Sequence, residues 1–287
     1  GKIGTETLTL SKIGGPVGRF YGYNVIGMYK TADDFYQKNS KGEFLLDAAG
    51  NKVPTPRPAD GDGNMYPIAP NSIWVGDYIF EDVNGDGKID NNDRTFIGDP
   101  NPDFTFGLNN TITWKNFDFS FFINGSVGGD IYNYVRQGHT NPEKYGNMMK
   151  EVAGYAKIGL IDPNGSATDI NNVYVTNPDL ATAQRISTAG QNQNDNNRVS
   201  SRFIEDGSYL RLKSISLTYN FPKKWLAPLQ IQSLSIYGNI QNLFTITGYD
   251  GYDPEIGAST ASANVFGLDN GRYPSPMSWA IALNIAF

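Results

Sequence analysis

Residues 82–93 read DVNGDGKIDNND, a spacing suited to binding a hard cation. It matches the D-x-[DN]-x-[DN]-G calcium loop through its sixth position. Asp82, Asn84 and Asp86 would supply side-chain oxygens at positions 1, 3 and 5, and Gly87 the sharp turn at position 6. Lys88 would offer its backbone carbonyl, and Asp90 would bind directly or through a water. Asp93 completes the candidate ligand set at position 12, where an EF-hand has the longer glutamate, and its shorter side chain reaches less far for bidentate closure. YIFE before the loop reads as strand, and RTFIG after it does not read as helix. These flanks fit a lone structural calcium rather than a calcium sensor. The same residues also suit a solvated Asx–Gly turn with no ion. The shorter DGDGN at 60–64 reads as a plain turn.

Catalytic constellations are weak. Glycoside hydrolysis needs two carboxylates facing each other across a sugar. Glu205, Asp206, Asp253 and Glu255 are available, but Glu205–Asp206 runs into Gly207 as a turn, and Asp253-Pro254-Glu255 sits in a Gly- and Tyr-rich loop. No enzyme activity is expected from them. His139 is the only histidine, in the polar run QGHTNPE, and reads as an exposed loop residue. There is no cysteine, which excludes a thiol nucleophile, a disulfide framework and a Cys-based zinc site. Lys223–Lys224 reads as a solvated turn. Tyr249, Tyr252 and Tyr273 suit stacking on sugar rings, a membrane girdle or simple loop packing.

The elements around these residues are strands. In the last eleven residues Met277, Trp279, Ile281, Leu283, Ile285 and Phe287 fall on one face, and Ser278, Ala280, Ala282, Asn284 and Ala286 on the other. In 102–114, Phe104, Phe106, Leu108, Ile112 and Trp114 share a face opposite Thr105, Gly107, Asn109, Thr111 and Thr113. After the Lys115–Asn116 turn, Phe117, Phe119, Phe121 and Ile123 oppose Asp118, Ser120 and Asn124, and Phe122 breaks the pattern. The tight link predicts a hairpin. A second pair is predicted at 208–221 and 234–244, with Ile215, Leu217, Tyr219 and Phe221 on the apolar face of its first member. Weaker strands are expected at 17–29 and 73–80, for about seven in all. The long polar segments 31–71 and 137–202 read as loops, the second with patches such as 143–158 that could be helical.

Composition sets the outer bounds. Lys and Arg total 23 against 29 Asp and Glu, a net charge of −6, which argues against a nucleic-acid partner. No apolar run reaches the roughly 18 residues of a membrane helix. Membrane β-strands alternate and would show none, so a barrel stays open. Short links on one side and long loops on the other fit such a barrel. So do Trp114, Trp225, Trp279, Tyr219, Tyr237 and Phe221 near strand ends, where a membrane girdle would place them. The same alternation fits a soluble β-sandwich, here a secreted, calcium-stabilised, carbohydrate-binding one. Residue 1 is Gly, and the opening GKIGTETLTLSK shows no basic-then-apolar leader. This reads as a processed chain or a piece of a longer one.

Five blocks in order carry a family resemblance. They are GGPVGRFYGYNVIGMYKT (14–31), the run from GDYIFEDVNGDGKIDNND to NGSVGGDIYN (76–133), FIEDGSYLRLKSISLTYNFP (203–222), LSIYGNIQNLFTITGYDGYDPEIG (234–257) and NGRYPSPMSWAIALNIAF (270–287). Together they resemble the C-terminal part of SusC/RagA-type TonB-dependent outer-membrane transporters. The resemblance implies an all-β fold, an antiparallel meander forming the C-terminal portion of a transmembrane β-barrel with long extracellular loops. On this reading residues 1–287 are one barrel segment, with the plug and N-terminal strands absent and the 82–93 loop within it. The family barrel has about 22 strands around a plug. It imports glycans, or peptides in some members, across the outer membrane of a Gram-negative bacterium. TonB engages a missing N-terminal region, and a SusD-like surface lipoprotein captures the substrate. The expected partners are therefore that lipoprotein, TonB, the remainder of the barrel, an oligosaccharide or peptide, and outer-membrane lipid. The outward residues would be Phe104, Phe106, Trp114, Phe117, Phe119, Phe121, Ile215, Leu217, Tyr219, Trp279, Ile281, Leu283, Ile285 and Phe287. About seven strands cannot close such a barrel, so this chain is not expected to transport alone.

Overall fold

The computed structural model describes residues 1–3, 6–143, 146–188, 192–255 and 265–287. The chain divides into two compact units. One comprises Gly1–Gly15, Arg19–Gly98 and Asn133–Ile204; the other comprises Pro16–Gly18, Asp99–Tyr132 and Glu205–Phe287.

The second unit is built on five long strands: β1 (Pro102–Trp114), β2 (Phe117–Gly128), β3 (Tyr209–Asn220), β4 (Ser233–Thr247) and β5 (Ser278–Ala286). Each pairs antiparallel with the next, so the sheet is a meander. Strands of about 9–11 tilted residues cross a bilayer core, and all five reach that length. Among the described residues β1 and β5 are each paired on one side only, so the barrel is not closed.

Register fixes the faces. Across the sheet Ile112 pairs with Phe119, Phe119 with Leu217, Leu217 with Gly238, and Gly238 with Ile281. One row lower Trp114, Phe117, Tyr219, Ile236 and Leu283 follow in the same way. The alternation predicted strand by strand is therefore one continuous apolar face. Leu210, Leu212, Ile236, Ile240, Phe244 and Ile246 join it. Phe287 lies beyond β5 and is exposed.

Several local expectations are corrected. Phe122 does not interrupt β2; it faces the polar side opposite Asn109 and Ser214. Its ring covers Gly107, where a Cβ would come within 3.2 Å of it. Tyr237 pairs with Thr218 and Ala282 on the polar face, so it is not a girdle residue. The weaker strands at 17–29 and 73–80 shrink to Arg19–Gly22, Val25–Met28 and Tyr78–Phe80. They pair in small sheets of the first unit and add nothing to the meander, which has five strands rather than seven.

The polar segments of the first unit contribute Phe35 and Val173 to a core that the two weak strand stretches begin. Tyr29, Phe35, Ile73, Trp74, Val75 and Val173 form a core, with the Tyr29 and Phe35 rings stacked at 4.2 Å. In the stretch 143–158 the structure shows a 3-10 turn, Lys150–Gly154; residues 144 and 145 lie outside the described residues, as do 256 and 257 of the fourth sequence block.

Candidate functional site

The sheet's two faces carry opposite chemistry. On the apolar face Phe104, Leu108, Ile112, Trp279, Ile281 and Leu283 stand exposed, and no described strand packs over them. An apolar face of that extent exceeds what a water-soluble monomer normally exposes. It suits hydrocarbon. The polar face carries Thr, Ser and Asn. Ser120 and Ser216 oxygens lie 2.7 Å apart, and Asp118 accepts from Thr113 Oγ1 at 2.7 Å and from Asn220 Nδ2 at 2.8 Å. Gly125 lies among apolar neighbours because the Phe106 ring lies over it; a Cβ there would sit 2.6 Å from that ring.

A charged knot is set into the polar face. β3 carries an irregularity between Leu212 and Ser214, where Lys213 is the extra residue. The bulge lets Arg211, Lys213 and Ser214 lie on the polar side while Leu212 and Ile215 stay apolar. Arg211 is buried and donates to Thr245 Oγ1 at 2.8 Å, Glu255 Oε2 at 2.7 Å and Asp253 Oδ1 at 2.5 Å. Lys213 Nζ donates to both Glu255 oxygens, at 2.9 and 2.6 Å. Burial pushes the Asp253 carboxyl up, but the Ser275 amide and the Arg211 guanidinium outweigh it and hold that carboxyl below its usual range. Asp253 and Glu255, weighed above for hydrolysis, are thus held on cations. Asp206 is turned to the Ser208 amide and hydroxyl, and Glu205 accepts from the Asp250 amide. A pocket of about 340 Å³ opens beside the knot, lined by Pro100, Pro102, Thr105, Ile131, Tyr209 and Glu255.

The aspartate-rich loop belongs to the first unit. Asp82 accepts from the Gly85 and Gly87 amides at 2.7 and 2.9 Å, and Gly87 takes the left-handed φ of 86° that makes the turn. Asn84 Oδ1 accepts from the Asp86 amide, and Asp86 Oδ1 from the Lys88 amide. Asp90 caps a 3-10 turn at Asn91–Asp93, and its carboxylate lies 3.3 Å from Lys88 Nζ. Asp93 is fully buried and accepts from the Val83 amide at 3.0 Å and the Asp90 amide at 2.7 Å. It clasps the two ends of the loop together. Among the described residues no group of three or more His, Cys, Asp or Glu converges as a metal-binding set.

Tyr249 and His139 have structural partners. Tyr249 is buried, and its hydroxyl donates to Asp269 at 2.6 Å; Tyr252 and Tyr273 are exposed. His139 is exposed, with Nδ1 3.0 Å from the Asn147 carbonyl oxygen. Nothing local in the sequence marks the buried Asp77–Arg185 pair, in which Arg185 Nε donates to Asp77 at 2.8 Å and Asn196 Nδ2 donates to the same oxygen. Asp77 lies more than a hundred positions from either partner. Arg211 and Lys213 did carry a signal, as charges alternating with leucines in YLRLK.

No protein-family model matches the chain. TonB-dependent receptor P3 of Formosa agariphila is 31% identical over 283 residues, covering 96% of this chain and 22% of that receptor. The chain belongs to the TonB-dependent receptors. Receptor P39 of the same organism is 30% identical over 96% of this chain, and SusC of Bacteroides thetaiotaomicron is 27% identical over 83%. The RagAB peptide importer in its closed-closed state shares the fold, with a TM-score of 0.54 and 19% identity over 98% of this chain and 24% of that one. The receptor segment thus spans about a fifth to a quarter of the length of the curated relatives it matches.

Proposed function

We propose that this chain is the C-terminal portion of an outer-membrane importer of the SusC/RagA type, which takes up glycans or peptides with a SusD-like surface lipoprotein and is energised through TonB. One observation carries the reading: a five-stranded meander of bilayer-spanning strands with a continuous exposed apolar face and a polar opposite face. SusC and the RagAB peptide importer, among the proteins it is similar to, favour nutrient import. The half-paired edges of β1 and β5 would take the neighbouring strands of the complete barrel, since lipid does not tolerate open edges. The hold of Arg211 and Lys213 on Asp253 and Glu255 argues against hydrolysis by those two carboxylates. A secreted sandwich would need a second sheet over the apolar face, and no described strand supplies one.

The test is to tag the full-length receptor in its host, fractionate the membranes and identify what co-purifies. Recovery in the outer membrane with a surface lipoprotein, and loss of growth on one glycan or peptide source on deletion, is the expected result. Recovery as a soluble secreted protein would overturn the proposal.

We also propose, from the sequence spacing, that the 82–93 loop takes a structural calcium ion through Asp82, Asn84, Asp86, the Lys88 carbonyl and Asp90. Asp93 stays on the backbone amides. The left-handed turn at Gly87 supports this. Calcium should raise the melting temperature of the receptor, and Asp82→Ala should remove that rise. No calcium-dependent change in the parent protein would refute the site.

A further inference from the structure

The end of the sheet that carries the short links holds a second pattern. Five aromatic rings run across it in contact: Trp114 to Phe117 at 6.4 Å, Phe117 to Tyr219 at 4.7 Å, Tyr219 to Phe221 at 5.0 Å, and Phe221 to Trp225 at 6.4 Å. Trp114 is 62% exposed and Trp225 54%. Such rings settle at a bilayer interface. Three exposed lysines border them. Lys115 lies in the β1–β2 turn with its Nζ 4.7 Å from the Trp114 ring, and Lys223 and Lys224 open the helical turn Lys223–Leu226 after β3.

The charge here is one-sided. The links WKNF (114–117) and FPKKWLAPLQIQ (221–232) contain no Asp or Glu, in a chain whose net charge is −6. The nearest acid in sequence, Asp118, faces the polar side and is bonded to Thr113 and Asn220. Among the described residues no carboxylate pairs with the three lysines.

Above the rings, on the same apolar face, is a groove of about 500 Å³ bordered by Phe119, Leu217, Ile240, Trp279 and Ile281. It exists because Gly238 has no side chain. A Cβ there would meet nothing closer than the Leu217 carbonyl oxygen at 3.9 Å. The Leu217–Gly238–Ile281 row lies two residues, or about 7 Å, above the Tyr219–Ile236–Leu283 row.

We propose that this end of the sheet binds one anionic phospholipid, its phosphate headgroup on Lys115, Lys223 and Lys224 and an acyl chain in the groove at Gly238. The inference rests on the membrane reading above. Lysines at a membrane surface attract anionic headgroups, and each contributes about a fivefold preference. The aromatic row would lie level with the glycerol backbone, between headgroup and chain.

The test uses the full-length receptor, purified in detergent and mixed with equal amounts of phosphatidylglycerol and phosphatidylethanolamine, with retained lipid counted by native mass spectrometry. The wild type should retain phosphatidylglycerol preferentially, and less so as salt rises. K115Q/K223Q/K224Q should reduce that preference at least tenfold, and K115R/K223R/K224R should keep it. Gly238→Leu should lower retention of both lipids while leaving the headgroup preference. An unchanged preference in the glutamine variant overturns the proposal. Reconstitution into vesicles separates the two readings. Failure of the receptor to insert removes the membrane reading itself, whereas insertion without the preference removes only the lipid site.

Discussion

Replacing Leu283 with Arg tests which face of the meander meets hydrocarbon. Leu283 lies near the middle of β5, paired with Ile236 of β4, and more than half of it is exposed. Its neighbours on the same face are Ile281 and Ile285. A cation on the lipid face of a barrel costs about 2–4 kcal/mol at the midplane and falls towards zero at the interfaces. Leu283 shares the register row of Tyr219, at the aromatic end of the sheet rather than at the midplane, so Leu283→Arg should cost about 1–2 kcal/mol and lower the folding equilibrium constant by roughly 5- to 30-fold. Asn284→Arg is the matched control, one residue away on the polar face opposite Ser235. It places the same charge beside water and should cost under about 1 kcal/mol. Both are measured in the full-length receptor by guanidinium titration in lipid vesicles, with heat-modifiable gel mobility reporting the folded barrel. Equal losses for the two variants would falsify the face assignment, and a larger loss for Asn284→Arg would reverse it.

Arg211→Met should destabilise the receptor by about 3 kcal/mol, seen as a lower denaturation midpoint, because it strands Asp253 without its buried cation and leaves Glu255 on Lys213 alone. Because the Asp253 carboxyl is held below its usual range when folded, its contribution is complete above about pH 4 and is lost as pH falls through that lowered value. Acid titration of unfolding should therefore show a loss below about pH 4 that shrinks in Arg211→Met; an identical pH profile would refute the pairing. Asp93→Ala removes the acceptor for the Val83 and Asp90 amides and should cost about 1–3 kcal/mol locally. Hydrogen exchange should show those amides opening first, and unchanged protection would show that Asp93 does not close the loop. Arg185→Met leaves Asp77 buried without its guanidinium and should cost about 3–5 kcal/mol, read as lost protection at the Tyr78 and Arg185 amides.

How much was legible in the sequence follows from how local each feature is. Alternation along FDFSFF, YLRLKSISL and SWAIALNIA fixes strand type and which residues share a face, because successive side chains point to opposite sides. The two-residue link at Lys115–Asn116 fixes a hairpin. The D-x-N-x-D-G spacing marks the tight loop at Asp82, because short Asx side chains bond amides two or three residues on.

What tertiary structure alone decided involves partners distant in sequence. The strand-by-strand stripes became one face only when register set Leu217 against Phe119 and Gly238. Phe122 looked like a break in the pattern until Gly107 of the neighbouring strand proved to accommodate its ring. Asp93 read as a metal ligand, but burial against three backbone amides gave it to the chain itself. Asp77 meets Arg185 and Asn196 across more than a hundred residues, and the core around Tyr29 and Trp74 joins the two weak strand stretches to Phe35 and Val173 from segments that read as polar loop. Local patterns are set by backbone geometry over a few residues and so are written in the sequence. Buried ion pairs, and the space a glycine leaves open, depend on which distant segments the fold brings together.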